Sequence, residues 1–377
     1  MYERLLVPLD GSPAAESALP HAALLAYTVG AARVTLFMAV EGGTTDVLHI
    51  AEGYLRDQGR RLQEAWHQRA HPSPEVKPVA VCKAEGPEVH SIAARSREGQ
   101  VASAILRFAE DNSVDLIVMA THGASGVDRW LMGSVAEKVL RGADVPVYLA
   151  RVNAAGVAAP PALRRLLVPL DGSKLAERAL PHAEHLARCA GAEVTLLFVQ
   201  RPEEGRGADG SAMPSYLDAV AAGLRGAGVR AQVRVREGHP AQEIAQEADE
   251  GAADLVVMSS HGRGGLARWV FGSVADQVLR TSPTPVLLVP AAVHGPVPEH
   301  LRGPLVRRCY NCGRRTYLDV VTCQDRCSRC RYLLKACGNC EHFDGVGCLL
   351  RLPYASDVHP GNRCPQFRFR KTPAVLR

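Results

Sequence analysis

Three things are scarce in this chain of 377 residues, and each scarcity removes a class of explanation. No apolar run reaches the roughly 18–20 residues that a membrane-spanning helix needs. The opening MYERLLVPLD also lacks the layout of a signal peptide. The expectation is a cytoplasmic protein with no membrane partner. Cysteine is nearly missing from most of the chain, with only Cys82 and Cys189 before residue 309. A catalytic signature is missing as well: there is no Ser-His-Asp set, no nucleophile elbow and no carboxylate pair committed to chemistry. A true enzyme is not expected.

What is present is ordinary in bulk and uneven in distribution. A hydrophobic content of 47% with 22% charged residues suits a globular protein with sizeable cores, and the length allows two or three domains. The net charge of +5 hides an asymmetry. From Leu301 onward 15 Lys and Arg stand against 5 Asp and Glu, a tail of +10 that leaves −5 for residues 1–300. Nine of the 11 cysteines also lie in that tail, between Cys309 and Cys364.

The chain repeats itself. RLLVPLDGSPAAESALPHAALLA (Arg4–Ala26) returns as RLLVPLDGSKLAERALPHAEHLA (Arg165–Ala187) at an offset of 161, and REGQVASAI (Arg97–Ile105) returns as REGHPAQEI (Arg236–Ile244) at an offset of 139. The first copy therefore carries about 22 extra residues, mostly between Val34 and Arg97, which predicts a longer loop or an added strand there. Each copy alternates apolar strands with helical segments. The order runs RLLVPLD, a helix N-capped by Ser12 (Ser173) with Leu19, Ala22, Leu25 and Ala26 on one face, then RVTLFMAV (EVTLLFVQ). A longer helix follows, from about Leu48 to Gln68 in the first copy and near Tyr216–Leu224 in the second. After a further strand and helix come DLIVMA (DLVVMS), the helix SVAEKVLRG and the last strand VPVYLARV (TPVLLVPA). This alternation predicts two α/β domains with doubly wound parallel sheets and right-handed crossovers.

Ligands of such sheets bind outside the carboxyl ends of the strands, where Asp10 and Asp171 sit and where the stretches DLIVMATHGASGVDRWLMGSVA and DLVVMSSHGRGGLARWVFGSVA leave their strands. Ser134 with Glu137 reads as a capping box, and Ser273 with Asp276 as a weaker one. The free N–H groups of a helix start suit phosphate, and Gly123 and Gly262 let backbone amides approach a ligand. A plain strand-to-helix turn that binds nothing fits the same pattern. His122 and His261 read as loop-ordering residues, His21 and His182 as structural ones, and Arg129 and Arg268 as solvated or phosphate-facing.

VPLDGS, then DLIVMATHG or DLVVMSSHG, then GSVA nine residues on, all twice and in order, make residues 1–292 resemble a tandem pair of universal stress protein (UspA-like) domains. The resemblance implies an adenine nucleotide alpha hydrolase-like fold, a stress-response role and ATP or a related nucleotide as ligand, with weak ATPase activity at most. It also implies that the two repeats pair through their last strands. The nucleotide-binding pattern G-x2-G-x9-G-[ST] is met by Ala120, Gly123, Gly133 and Ser134, and by Ser259, Gly262, Gly272 and Ser273, with the first glycine replaced in both copies. By the same resemblance Asp10 and Asp171 accept hydrogen bonds from adenine or ribose, and Ala39 and Val199 pack on the base. Gly123, Gly133, Ser134 and Val135, with Gly262, Gly272, Ser273 and Val274, would hold the phosphates.

The tail reads differently. Cys309-x2-Cys312 and Cys327-x2-Cys330, 14 residues apart, resemble a zinc ribbon, and Cys337, Cys340, Cys348 and Cys364 make a second set. Cys323 is spare or replaces Cys327, and His342 and His359 are substitutes in the second set. Zinc at two sites is expected, with an iron–sulfur cluster or redox thiols as alternatives for the second. Two zinc centres, each held by four thiolates, would lower the tail from +10 to about +6. A basic surface with Tyr310, Tyr317, Tyr332, Phe343, Phe367 and Phe369 suits nucleic acid, or those aromatics are the only core the tail has.

The expected division is 1–152 and 164–292 for the two domains, 153–163 and 293–306 for linkers, and 307–371 for the metal-bound tail. Three functions compete: a nucleotide-responsive stress protein whose tail docks a protein partner, an adaptor that binds no nucleotide, and a nucleic-acid-associated regulator acting through the tail.

Overall fold

A computed structural model describes residues 1–42, 44–70, 86–121, 132–151, 163–201, 209–260, 272–290, 306–308 and 315–317. The first repeat runs β1 (Arg4–Pro8), α1 (Pro13–Glu16), α2 (Ala18–Val29), β2 (Arg33–Glu41), α3 (Thr45–Ala70), β3 (Glu88–Ser96), α4 (Val101–Asp111), β4 (Leu116–Ala120), α5 (Ser134–Gly142) and β5 (Val147–Ala150). The second runs β6 (Arg165–Pro169), a 3-10 turn (Ala176–Ala179), α6 (Leu180–Ala190), β7 (Glu193–Gln200), α7 (Asp209–Gly226), β8 (Arg230–Glu237), α8 (Pro240–Glu250), β9 (Leu255–Ser259), α9 (Ser273–Thr281) and β10 (Val286–Val289).

These strands form one sheet in the order β3-β2-β1-β4-β5-β10-β9-β6-β7-β8. Within each repeat all pairs are parallel, and the seam between β5 and β10 is antiparallel, with Tyr148 opposite Leu287. The expected pairing of repeats through their last strands is thus what the sheet contains. Continuous apolar runs such as Leu116–Ala120, buried at every position, fit strands covered on both faces. One face of the sheet packs α4, α5, α8 and α9 over a core that includes Phe37, Ile117, Leu149, Leu197, Leu288 and Ile244.

On the other face α2 and α6 pack against each other. Two tyrosine–histidine pairs are buried there. His21 Nδ1 lies 2.9 Å from the Tyr148 hydroxyl, and His182 Nδ1 lies 2.6 Å from the hydroxyl of Tyr2, so the second bond ties one repeat to the other. Burial lowers both imidazoles to about 4, assisted by Arg69 at His21 and by His185 at His182. Both histidines are structural, as the sequence predicts. Across the seam, the Arg151 guanidinium donates to the Val278 carbonyl in the last turn of α9 (3.2 Å).

Two expectations need correction, and a third falls partly outside the described residues. Some of the extra residues of the first copy lengthen a helix, since α3 has 26 residues and α7 has 18, and β3 and β8 are counterparts; 71–85, where a longer loop or an added strand is expected, lie outside the described residues. The longer helix of the second copy begins at Asp209, ahead of Tyr216, because the residues before Pro214 accept helical geometry and that proline forfeits a single backbone bond. The first helix is broken after Glu16, with Ser17 between α1 and α2. Ser12 caps α1 as predicted, accepting from the Ala15 amide at 3.1 Å, and Ser173 accepts from the Ala176 amide at 3.1 Å.

In the tail, the described segments β11 (Val306–Arg308) and β12 (Arg315–Tyr317) pair antiparallel. Cys309, Cys312, Cys323, Cys327, Cys330, Cys337, Cys340, Cys348 and Cys364 lie outside the described residues, as do Gly123, Gly262, His122, His261, Arg129 and Arg268. Among the described residues no helix is long and apolar enough to cross a membrane.

Candidate functional site

The strand order reverses direction between β1 and β4, and again between β6 and β9, so each repeat opens a crevice at the carboxyl ends of its strands. Three devices build the first crevice. Asp10 follows β1, and its Oδ1 accepts from the Ser12 amide (2.9 Å) and the Ser12 hydroxyl (2.6 Å). Gly11 between them has φ +84°, a conformation that L side chains rarely adopt, and an added Cβ there would meet nothing within 4 Å. The glycine is required by the turn and not by crowding. Asp171 repeats the arrangement, accepting from the Ser173 amide at 2.9 Å across Gly172 at φ +75°.

The second device is the start of α5. Thr121, just past β4, donates from its backbone to Ala150 (3.1 Å) and accepts from the Gly133 amide (2.8 Å), which fixes where α5 begins relative to the strand. Ser260 does the same between Val289 (2.8 Å) and Gly272 (3.0 Å) ahead of α9. The capping boxes expected here do not form. The helices begin one residue early for them: Gly133 and Gly272 are the N-caps, Ser134 and Ser273 the first helical residues, and among the described residues no side chain caps either helix start. Glu137 and Asp276 instead face one turn forward, to Arg141 (2.7 Å) and Arg280 (2.9 Å). The first-turn amides of Ser134, Val135 and Ala136, and of Ser273, Val274 and Ala275, precede the first amides bonded to the cap carbonyls, those of Glu137 and Asp276.

The third device is the wall. Ala39 and Val135, and likewise Val199 and Val274, are partly buried on the sheet face that carries α4, α5, α8 and α9. Asp10 stands two residues past Pro8, the end of β1, at the carboxyl edge of the sheet. The structure thus brings Asp10, Ala39, Gly133, Ser134 and Val135 to one crevice, and Asp171, Val199, Gly272, Ser273 and Val274 to the other. Ala120 and Ser259 are exceptions. Alternation with Met119 and Met258 turns their side chains to the opposite face, where α1, α2 and the 3-10 turn lie. The methyl group of Ala120 and the hydroxymethyl of Ser259, which replace the first glycine of the pattern, therefore stand behind the crevice and leave its space free. Among the described residues the buried Ser259 hydroxyl has no hydrogen-bond partner there.

A feature that pattern matching missed lies beside Val199. The guanidinium of Arg236 is held by Glu247 (2.5 Å), Glu243 (3.3 Å) and Glu250, all from α8. Burial works against its charge, and hydrogen bonds to Glu250, Glu247 and Glu243 outweigh that and raise its pKa. At an offset of 139 Glu243 and Glu247 correspond to Ala104 and Phe108, so the sequence did contain the signal, as a charge substitution between copies. Among the described residues no group of three or more His, Cys, Asp or Glu is placed to hold a metal ion.

Comparison with known proteins agrees with this arrangement. A family model described as the universal stress protein family matches residues 1–151 and again 162–290. Universal stress protein Rv2623 of Mycobacterium tuberculosis is 32% identical over 302 residues, covering 75% of this chain and 95% of that protein. Universal stress protein MJ0531 of Methanocaldococcus jannaschii is 33% identical over 138 residues, covering 33% of this chain and 81% of its own. Among solved structures, a universal stress protein from Archaeoglobus fulgidus aligns with a TM-score of 0.56 at 22% identity, covering 76% of this chain and 95% of that one, a likeness of fold.

Proposed function

Because this chain belongs to the universal stress protein family, we propose that it is a nucleotide-responsive stress protein that holds ATP or a related adenine nucleotide without turning it over. One observation carries the reading. A helix start without a side-chain cap among the described residues, at the carboxyl edge of a parallel sheet, leaves first-turn amides for an anion. The residues fit the group. The amides of Ser134, Val135 and Ala136 would take phosphate oxygens, Ala39 would lie under the base, and Asp10 would accept from the ribose or the adenine. The one hydroxyl beside a carboxylate described in the first crevice, Ser12 next to Asp10, is taken up in capping α1, so we assign the crevices binding and no chemistry.

The test is calorimetry of the full chain with ATP, against a variant with Gly133→Glu and Gly272→Glu. A carboxylate at both helix starts occupies and repels the phosphate position, and the expected loss is about tenfold or more. Equal affinity for wild type and variant would remove the phosphate role from these helix starts.

We assign the tail, from residue 307 to 371, to a metal-stabilised element that docks a protein partner. The ligands would be Cys309, Cys312, Cys327 and Cys330 for one zinc ion, and Cys337, Cys340, Cys348 and Cys364 for the other. The support is spacing: two consecutive sets of cysteines, each opened by C-x2-C, in a segment of few other core residues. Elemental analysis of anaerobically purified protein tests it. Two zinc ions per chain, falling to one in Cys312→Ser, are expected. Iron with visible absorbance would replace zinc, and less than one metal per chain would end the assignment. The two domains, 1–152 and 164–292, and the linkers 153–163 and 293–306 belong to the same proposal.

A further inference from the structure

The two crevices share a frame but not a wall. In repeat one the strand register sets Ala94 of β3 directly beside Ala39 of β2. Behind that pair, Phe37 and Phe108 pack with ring centroids 4.8 Å apart, and Ile92 and Ala104 complete an apolar surface. A purine finds a flat, uncharged shelf there. In repeat two the same register sets Arg236 of β8 beside Val199 of β7. Val199 has two methyl groups more than Ala39, and Arg236 brings a long side chain and a charge where Ala94 brings one methyl. Arg97, the counterpart of Arg236 by sequence offset, falls beyond the end of β3. Phe37 is matched by Leu197, Ala104 by Glu243 and Phe108 by Glu247.

Charge separates them further. Arg236 against Glu243, Glu247 and Glu250 leaves a formal charge of −2 on this wall. The carboxylates of Glu243 and Glu247 are 20% and 12% exposed, so solvent screens them less than it would surface groups. Glu243 stands in the first turn of α8, which opens at the same edge as the crevice. A polyphosphate approaching repeat two meets a net negative wall, and one approaching repeat one meets none from the positions the register matches. Arg236 offers little in return, because its guanidinium is already shared among three carboxylates.

We infer that the crevices are not equivalent: the nucleotide goes to repeat one, and repeat two is closed to it by Val199 and the carboxylate cage around Arg236. The inference rests on the nucleotide reading above and adds its stoichiometry and its address. Positional identity between the repeats, high at RLLVPLDGS and GSVA, hides this divergence because it falls on β3, β8, α4 and α8.

Native mass spectrometry and calorimetry of the full chain with ATP as the probe decide it. One ATP per chain is expected for the wild type. Ala94→Arg, which copies the cation of repeat two onto the shelf of repeat one, should weaken binding by about tenfold or more. Ala39→Val, a milder copy of Val199 that stays within strand propensity, should weaken it by about threefold. Far-ultraviolet dichroism and thermal unfolding show whether each variant keeps its fold. Two ATP per chain, or one whose affinity neither substitution changes in a folded chain, overturns the inference and leaves the nucleotide reading intact. No ATP bound at millimolar concentration overturns that reading, and the inference with it.

Discussion

At the end of the sheet opposite the crevices, the two repeats do one job with the same parts. Asp115 accepts from the amides of Glu3 and Arg4 (3.0 and 2.9 Å), tying β4 to the start of β1, and Asp254 accepts from Arg164 and Arg165 (2.7 and 2.9 Å), tying β9 to β6. At the crevice end the frame is again duplicated, but the wall is apolar in one repeat and charged in the other. The lesson is that duplication kept the hydrogen bonds that hold strands in register and let the surfaces that meet a ligand diverge. Register must be kept, since a one-residue slip exchanges the two faces of a strand. A wall carries no such constraint.

Substitutions in matched positions can break or sharpen this comparison. The largest effect is expected at the seam, where Leu149 and Leu288 are matched at the offset of 139 and both buried. Leu149→Ala and Leu288→Ala should each destabilise the chain by about 2–5 kcal/mol, through lost burial and the cavity left behind. Equal costs in denaturant unfolding support a shared frame, and a large inequality would show that one repeat carries the other.

The next largest effect is pH. His21 and His182 are held near 4 in the folded chain by burial, against an ordinary value of 6.5. Between these limits the unfolded chain binds protons that the folded chain refuses, so unfolding takes up protons. Stability is therefore intact above 6.5 and falls as pH drops toward 4, by on the order of 3 kcal/mol for each histidine. His185, also lowered to about 4 by burial, adds to the same slope, so either single variant, His21→Gln or His182→Gln, should remove about a third of it. A flat profile from pH 7 to 4 would contradict their burial as neutral bases.

Asp115→Asn and Asp254→Asn should cost less, about 1–2 kcal/mol each, because an amide still accepts but without the charge assistance. Removing a single hydroxyl should cost least. Tyr2→Phe and Tyr148→Phe should each cost about 1 kcal/mol, and only the first removes a bond between repeats.

Much of this was legible in the sequence, for reasons that can be named. The repeat offsets, Ser12 as a cap, and the apolar runs Leu116–Ala120 and Val147–Ala150 are local signals that local physics decides, and the structure follows them. Pairing of β5 with β10 was implied by the family resemblance, and it covers apolar last strands that would otherwise form an exposed edge. The capping boxes failed because S-x-x-E matches two registers: Ser134 as the cap, or Ser134 as the first residue with Glu137 reaching Arg141. The pattern cannot choose between them, and the backbone bond from Gly133 to Thr121 does. The placement of Ala120 and Ser259 behind the crevice was invisible for a similar reason, since a loop motif does not record on which strand face its first residue points. Tyr2 with His182 lies 180 residues apart in sequence, beyond any local pattern.

The central claim is that a nucleotide occupies the first-turn amides of α5 and leaves those of α9 alone. Hydrogen exchange measures those amides directly. With saturating ATP, exchange of Ser134, Val135 and Ala136 should slow while that of Ser273, Val274 and Ala275 stays unchanged. Equal protection of both helix starts, protection confined to the second, or protection of neither would contradict it.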